Sequence, residues 1–339
     1  EYAIDRGINY FDTAESYTGG TSETAIGKAI KGKRHRLYLA TKGWFGARTR
    51  KEEMMRTLEG SLRRLQTDYV DVYFLHAVND VDRVRNQEFY EFTDRARQAG
   101  KIRFVGISGH GGRLIPCLHT AMETGKFDVF LVAYNFGQDP AFYQRFLRWT
   151  DLVAINPALP QTIQQAKARG IGVIAMKTLR GARLNDMTPY EKPGGTFAQA
   201  AFRWVLSNPA VDALIVSITR QEQIDEYLVA SGDTRVTRHD LSLLRRYAAL
   251  NDATYCRPLC DACESSCPQQ VPIADVLRYK MYFENYGNGE AQRKARKGYA
   301  RLPVDAAACL TCTAQGCLSA CPYGLPVPDL TRQAHHKLA

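Results

Sequence analysis

The chain has 339 residues, 45% of them hydrophobic, and 45 basic against 35 acidic side chains give a net charge of +10. That is enough for one large domain with an appendage, or for two ordinary domains with real cores. No apolar run reaches the roughly 18 residues of a membrane span and no charged start followed by an apolar stretch marks a secretion signal, so a soluble protein is expected.

The chain opens on Glu1 within a helical pattern, so its natural beginning is expected to be missing, with any targeting segment. Residues 8–17 then run apolar and end on two titratable groups, Asp12 and Tyr17, which reads as a buried strand entering a loop. A Ser-capped helix is expected over 22–31, stopped by Gly32. The strand 37–41 delivers Lys42. Met54, Leu58, Leu62 and Leu65 mark a helix over 51–65, and the strand 70–75 delivers His76. A helix over 84–99 ends at Gly100, followed by a strand at 104–107, a Gly-rich loop at 108–112 and a helix over 113–124. The strand 127–133 leads into a long connection, 134–160, with part (142–149) read as helical. Regularity returns with a helix at 161–168, a strand at 173–176, a helix at 197–206, a strand at 213–216 and a helix at 221–230.

Seven strands, each followed by a helix, have the spacing of a parallel sheet. The predicted fold is α/β, a closed (β/α)8 TIM barrel whose first strand is missing from this chain. An open doubly wound sheet would want a Gly-rich fingerprint after an early strand, and none is present. In a barrel the C-terminal strand ends carry the chemistry, so Asp12, Tyr17, Lys42 and His76 are expected to converge there.

Phe-Asp-Thr-Ala-Glu-Ser-Tyr, Ala-Thr-Lys and Phe-Leu-His, in this order, resemble the three motifs of the aldo-keto reductases over roughly residues 1–230. The resemblance implies an NADP- or NAD-dependent oxidoreductase acting on a small-molecule carbonyl or alcohol, such as a sugar or other polar metabolite. Tyr17 is then the general acid, Lys42 lowers its pKa, Asp12 holds Lys42 charged, and His76 orients the carbonyl oxygen. Ser108, Met176, Lys177, Ser217, Arg220 and Gln223 are the implied cofactor contacts. The family's Ser-Asn pair is here Ser108-Gly109, its Gln is Leu131, and its stacking aromatic is replaced by Met176. An alternative follows from those departures: a non-catalytic or electron-transfer subunit on a barrel with a degenerate nicotinamide site.

Eight of the nine cysteines fall after residue 255, which divides the chain into a barrel at 1–235 and an all-helical module at 236–339. Cys117 lies in an apolar helix and reads as a small buried residue. The others form two runs, Cys256, Cys260, Cys263, Cys267 and Cys309, Cys312, Cys317, Cys321, each ending in Cys-Pro. Zinc and disulfides are competing occupants of such runs. The repeat resembles two-cluster ferredoxins, which implies two 4Fe-4S clusters. One is held by Cys256, Cys260, Cys263 and Cys321, the other by Cys309, Cys312, Cys317 and Cys267. The turn at 271–275 recurs at 325–329, with a helix expected after each. The module is then either structural or serves a redox partner protein. The cytoplasm is the expected location because clusters assemble under reducing conditions; export after loss of a twin-arginine signal is the alternative. The basic excess is scattered, and its densest cluster (Arg293, Lys294, Arg296, Lys297, Arg301) reads as a solvated helical face, leaving only charge to speak for nucleic acid.

Overall fold

A computed structural model describes all residues other than 139–155, 157, 180–185, 255, 257–261, 286–288 and 323. The expected helix at 142–149 and Cys260 lie outside the described residues. The described residues of 1–138, 156–180 and 198–237 form one compact unit; those of 181–197 and 238–339 form a second.

The first unit is built on seven strands: β1 (Tyr10–Asp12), β2 (Tyr38–Gly43), β3 (Val70–Leu75), β4 (Ile102–Gly109), β5 (Val129–Ala133), β6 (Gly172–Met176) and β7 (Ala213–Leu214). They lie in chain order in one sheet, every neighbouring pair parallel. The helices are α1 (Tyr2–Asp5), α2 (Thr21–Ala29), α3 (Lys51–Leu65), α4 (Val81–Val84), α5 (Gln87–Gln98), α6 (Leu114–Thr124), α7 (Leu159–Ala168), α8 (Phe197–Leu206) and α9 (Glu222–Leu228).

Alternation along the strands separates two apolar layers. Ala40, Val72, Phe74, Leu131 and Ile174 pack together on one face. Their chain neighbours Leu39, Tyr73, Leu75, Phe130, Val132, Val173 and Ala175 join the larger core on the other. Burial on both faces explains why β3 is buried along its whole length and runs apolar from Val72 to Leu75. Gly106 makes room for this packing, since a Cβ there would stand 2.3 Å from the Phe74 ring.

Three aspartates tie down the N-terminal strand ends in the same way. Asp71, Asp128 and Asp212 each accept the backbone N–H of the preceding strand, from Leu39 (2.9 Å), Val105 (2.8 Å) and Val173 (2.8 Å). Each also pairs with a cation, Arg34, Arg97 or Lys167. This rim is a matter of stability, and it leaves the opposite strand ends for chemistry.

Two local expectations are corrected. The stretch 84–99 is not one helix: Asn86 breaks it, its side chain accepting the Glu88 N–H (3.0 Å) while donating to the Thr49 carbonyl (3.1 Å). Ser22 does not cap α2; Gly20 precedes that helix in a left-handed conformation (φ +88°), and the Ser22 hydroxyl lies 2.8 Å from that of Thr13.

The second unit holds α10 (Arg238–Thr254), α11 (Ile273–Asn285), α12 (Gly289–Tyr299), α13 (Gly316–Ala320) and α14 (Val327–Leu338). Val271, Ile273, Val276, Leu277, Tyr299, Leu325, Val327 and Leu338 form its core, together with Cys263. The sequence repeat is a structural repeat. Gln270 and Gly324, each three residues after a Cys-Pro cysteine, both turn left-handed (φ +54° and +66°). Their N–H groups return to the carbonyls of Cys267 (3.1 Å) and Cys321 (3.2 Å). The apolar pairs that follow, Val271 with Ile273 and Leu325 with Val327, are each only 1% exposed. Among the described residues, no helix is long and apolar enough to cross a membrane.

Candidate active site and candidate metal centre

β1, β2 and β3 end side by side, and their register brings Asp12, Lys42 and His76 to one end of the sheet. The Lys42 Nζ donates to Asp12 Oδ2 (2.5 Å) and to the Thr13 carbonyl (2.6 Å). It also stands 4.9 Å from the centre of the Tyr17 ring. The Tyr17 and His76 rings meet edge to face, 5.6 Å apart at their centres. All four residues read from the strand ends therefore share one small volume.

Their electrostatics follow from burial. Desolvation pushes Asp12 up and Lys42 down, and each one's charge opposes the shift of the other. Tyr17 is pushed up to about 12, by burial first and the Asp12 carboxylate second. This reverses the expectation that Lys42 would lower it. The lysine charge is neutralised by Asp12 at hydrogen-bond distance, so it offers Tyr17 little net positive field. Burial brings His76 down to about 4, helped by the charges of Lys42, His110, Arg83 and Lys177. The imidazole is thus neutral at physiological pH. Among the described residues, His76 Nδ1 and Asp12 Oδ1 are buried without a hydrogen-bond partner.

No sequence motif pointed to Arg83. Its guanidinium binds three carbonyls, those of Phe45 (2.6 Å), Ala77 (2.9 Å) and His76 (2.8 Å), and so fastens the loops after β2 and β3 together. Backbone strain gathers here as well. Of the six non-glycine residues with positive φ among the described residues, Thr18, Ala77 and Lys177 directly follow Tyr17, His76 and Met176. Such conformations cost on the order of 1–3 kcal/mol each and persist where surrounding structure imposes them.

The residues expected at the cofactor are placed as follows. Ser108 is buried and its hydroxyl accepts the Ala77 N–H (3.1 Å), supporting the strand that carries His76. Met176 packs against the inner apolar layer. Lys177 is exposed, its carbonyl held by Asn135 Nδ2 at 3.2 Å. Ser217 and Arg220 are exposed beyond β7. Gln223 Oε1 accepts the N–H groups of Thr219 (2.9 Å) and Arg220 (3.1 Å), which shapes that loop.

The model of the aldo/keto reductase family matches residues 1–247. The chain belongs to the aldo/keto reductase family. Aldo-keto reductase YhdN of Bacillus subtilis is 40% identical over 266 residues, covering 68% of this chain and 77% of its own. L-galactose dehydrogenase of Arabidopsis thaliana is 26% identical over 276 residues, 73% of this chain and 81% of its own. Among solved structures, an aldo-keto reductase from Klebsiella pneumoniae in complex with NADPH is 27% identical with a TM-score of 0.55, covering 73% of this chain and 82% of that one. The first unit is accordingly the aldo/keto reductase (β/α) barrel, and the protein is an oxidoreductase of that type.

Both cysteine runs lie beyond the family match. Cys309, Cys312 and Cys317 line one cavity, and Cys267 from the first run joins them. Ile273, Pro328 and Thr331 complete its walls with Gln315 and Gly316. Gly316 allows the approach of the first run, since a Cβ there would meet the Ser266 carbonyl oxygen at 2.8 Å. The backbone N–H groups of Gln315 and Ala314 face Cys312 and hold its thiol below the usual range, whereas burial pushes Cys309 and Cys317 up. Cys263 is buried, and Cys256, Cys267 and Cys321 pack against the same core. Among the described residues, no three of His, Cys, Asp and Glu stand close enough to hold a single metal ion.

Proposed function

We propose that the protein is an NAD(P)-dependent reductase of a small carbonyl compound, or dehydrogenase of the matching alcohol, with Tyr17 as general acid and base. One observation carries the reading: Tyr17 and His76 meet over a buried Lys42–Asp12 pair at the strand ends. The nicotinamide, when bound, supplies the hydride that reaches the carbonyl carbon. Tyr17, which keeps its proton at neutral pH, gives that proton to the carbonyl oxygen. Neutral His76 donates a hydrogen bond to the same oxygen and fixes its direction. Lys42, 4.9 Å from the centre of the Tyr17 ring and held in place by Asp12, fixes the position of the phenol.

The exposed Arg220, on the loop that Gln223 shapes, suits an anionic group of the dinucleotide, and NADPH is bound by the Klebsiella relative. A reductase of polar carbonyls agrees with relatives named L-galactose dehydrogenase and methylglyoxal reductase. A non-catalytic barrel is not favoured, because the four residues are present and assembled. Titration of the full chain with NADPH and NADH by fluorescence, followed by a carbonyl screen, tests the reading. Absence of binding by either nucleotide would sink it.

We further propose that the cysteine unit holds two 4Fe-4S clusters, one on Cys309, Cys312, Cys317 and Cys267, the other on Cys256, Cys260, Cys263 and Cys321. The cavity among the first four supports this. Four thiolates around one zinc, each about 2.3 Å from it, would crowd within roughly 4 Å of one another. A cavity walled by four separate thiols instead suits a cubane. Such clusters pass single electrons, so they serve a redox partner or brace the unit rather than enter hydride transfer. Cluster assembly under reducing conditions supports a cytoplasmic location. Analysis for iron and sulfide should give about eight of each per chain.

A further inference from the structure

The structural repeat of the second unit extends beyond its cysteines to one arginine in each half. Arg332 lies eleven positions after Cys321, and Arg278 eleven positions after Cys267. Each follows the same left-handed turn, the same buried apolar pair and an aspartate, Asp329 or Asp275. Each sits on the helix that leaves its Cys-Pro turn, α14 or α11.

Arg332 uses all three guanidinium nitrogens. Its Nε donates to the Cys309 carbonyl at 3.0 Å, its Nη2 to the Cys312 carbonyl at 3.5 Å, and its Nη1 to Asp329 at 3.2 Å. It thus spans both ends of the Cys309–Cys312 loop. With those carbonyls turned to the guanidinium, the N–H groups of Ala314 and Gln315 are left to face the Cys312 sulfur. Arg278 has the complementary signature. Its Nε and Nη2 are buried, and among the described residues neither has a hydrogen-bond partner. An arginine remains charged in any protein environment, so buried nitrogens of this kind call for a carbonyl or an anion nearby.

We infer that Arg332 and Arg278 are positioning residues for the two clusters, each serving the cysteine run of its own half. Arg332 clamps the Cys309–Cys312 loop, and Arg278 serves the run that contains Cys256 and Cys263. The inference rests on the iron–sulfur reading above. An arginine has two effects on an anionic cluster. It fixes the ligand loop so that N–H groups face sulfur, and it places a positive charge beside the cluster, which favours the reduced form and raises the potential.

The test uses the full chain, reconstituted anaerobically, with Arg332→Gln, Arg278→Gln and the corresponding lysine variants. Potentials are followed by electron paramagnetic resonance during a redox titration, and iron release to a chelator is timed. Each glutamine variant is expected to lower the potential of one cluster only, a different one in each case, and to release half of the iron about tenfold faster. The lysine variants, which keep the charge but lose the fork of donors, are expected to restore the potential without slowing iron release. Unchanged potentials and release in both glutamine variants would overturn the inference while leaving the clusters standing. So would a shift of both clusters by either single change. A wild-type chain that takes up no iron would instead overturn the iron–sulfur reading itself.

Discussion

The barrel unit and the cysteine unit solve the same problem, holding reactive side chains in fixed geometry, by different means. In the barrel the groups ride on parallel strands whose register is set by two apolar layers, one of them an extensive core beneath the helices. In the cysteine unit the reactive groups belong to the core itself: Cys263 is buried within it, and Cys256, Cys267, Cys309, Cys317 and Cys321 pack against it. A core of that size gives a small unit little margin, so on the proposed iron–sulfur reading cluster binding and folding are expected to be coupled there. The barrel should keep its shape without its cofactor; the cysteine unit should not.

The largest expected effect separates chemistry from scaffold. Tyr17→Phe is expected to lower the turnover of carbonyl reduction by a factor of about 10² to 10⁴, while nucleotide affinity and iron content stay as in the wild type. A variant that turns over at the wild-type rate removes Tyr17 from the mechanism.

Next comes the buried pair. With side chains only 2% and 9% exposed, Lys42 and Asp12 depend on each other. Asp12→Asn strands the lysine charge, for which about 3–5 kcal/mol of lost stability is expected in denaturant titration of the barrel. A change well under 1 kcal/mol would mean that water reaches Nζ more freely than the geometry suggests.

The cysteine unit provides the converse. Cys312→Ser, or chelation of iron, is expected to remove iron and melt the helical signal of the second unit while nicotinamide-dependent turnover by the barrel persists. Turnover that falls in step with iron content would show that the two units do not act independently.

The smallest effect concerns pH. Because Tyr17 is held near 12 and His76 near 4, kcat/KM for reduction should be flat from about pH 6 to 10. An alkaline limb with a midpoint near pH 8 would show that bound nucleotide pulls Tyr17 back towards neutrality. Stability carries its own sign. Below the ordinary value of 6.5 the unfolded chain protonates this histidine while the folded chain does not until about 4, so stability falls as pH drops across that window. His76→Gln should flatten the slope.

Much of the barrel was legible because its apolar positions repeat with the period of one element. α3 and α8 begin and end where the pattern placed them, at Lys51–Leu65 and Phe197–Leu206. The stretch at 84–99 misled because its apolar residues continue helical spacing through Asn86, whose side chain interrupts the helix by bonding across to the Thr49 carbonyl. No local pattern contains that partner. Arg83 escaped for the same reason, since its three carbonyls come from two separate loops.

The order Asp12, Tyr17, Lys42, His76 was set by sequence alone, because consecutive parallel strands must end side by side and each residue sits at or just beyond such an end. The repeat of cysteines, turns and arginines was likewise written in the chain. Tertiary structure decided the rest. Whether Lys42 acts on Tyr17 as a charge or as half of a neutral pair depends on its 2.5 Å contact with Asp12 and on how far both are removed from water. That Cys267 shares a cavity with Cys309, Cys312 and Cys317 depends on the close approach of Ser266 to Gly316, two residues from different runs. Spacing along the chain fixes which groups can meet; distance, burial and the company of other charges fix what they do when they meet.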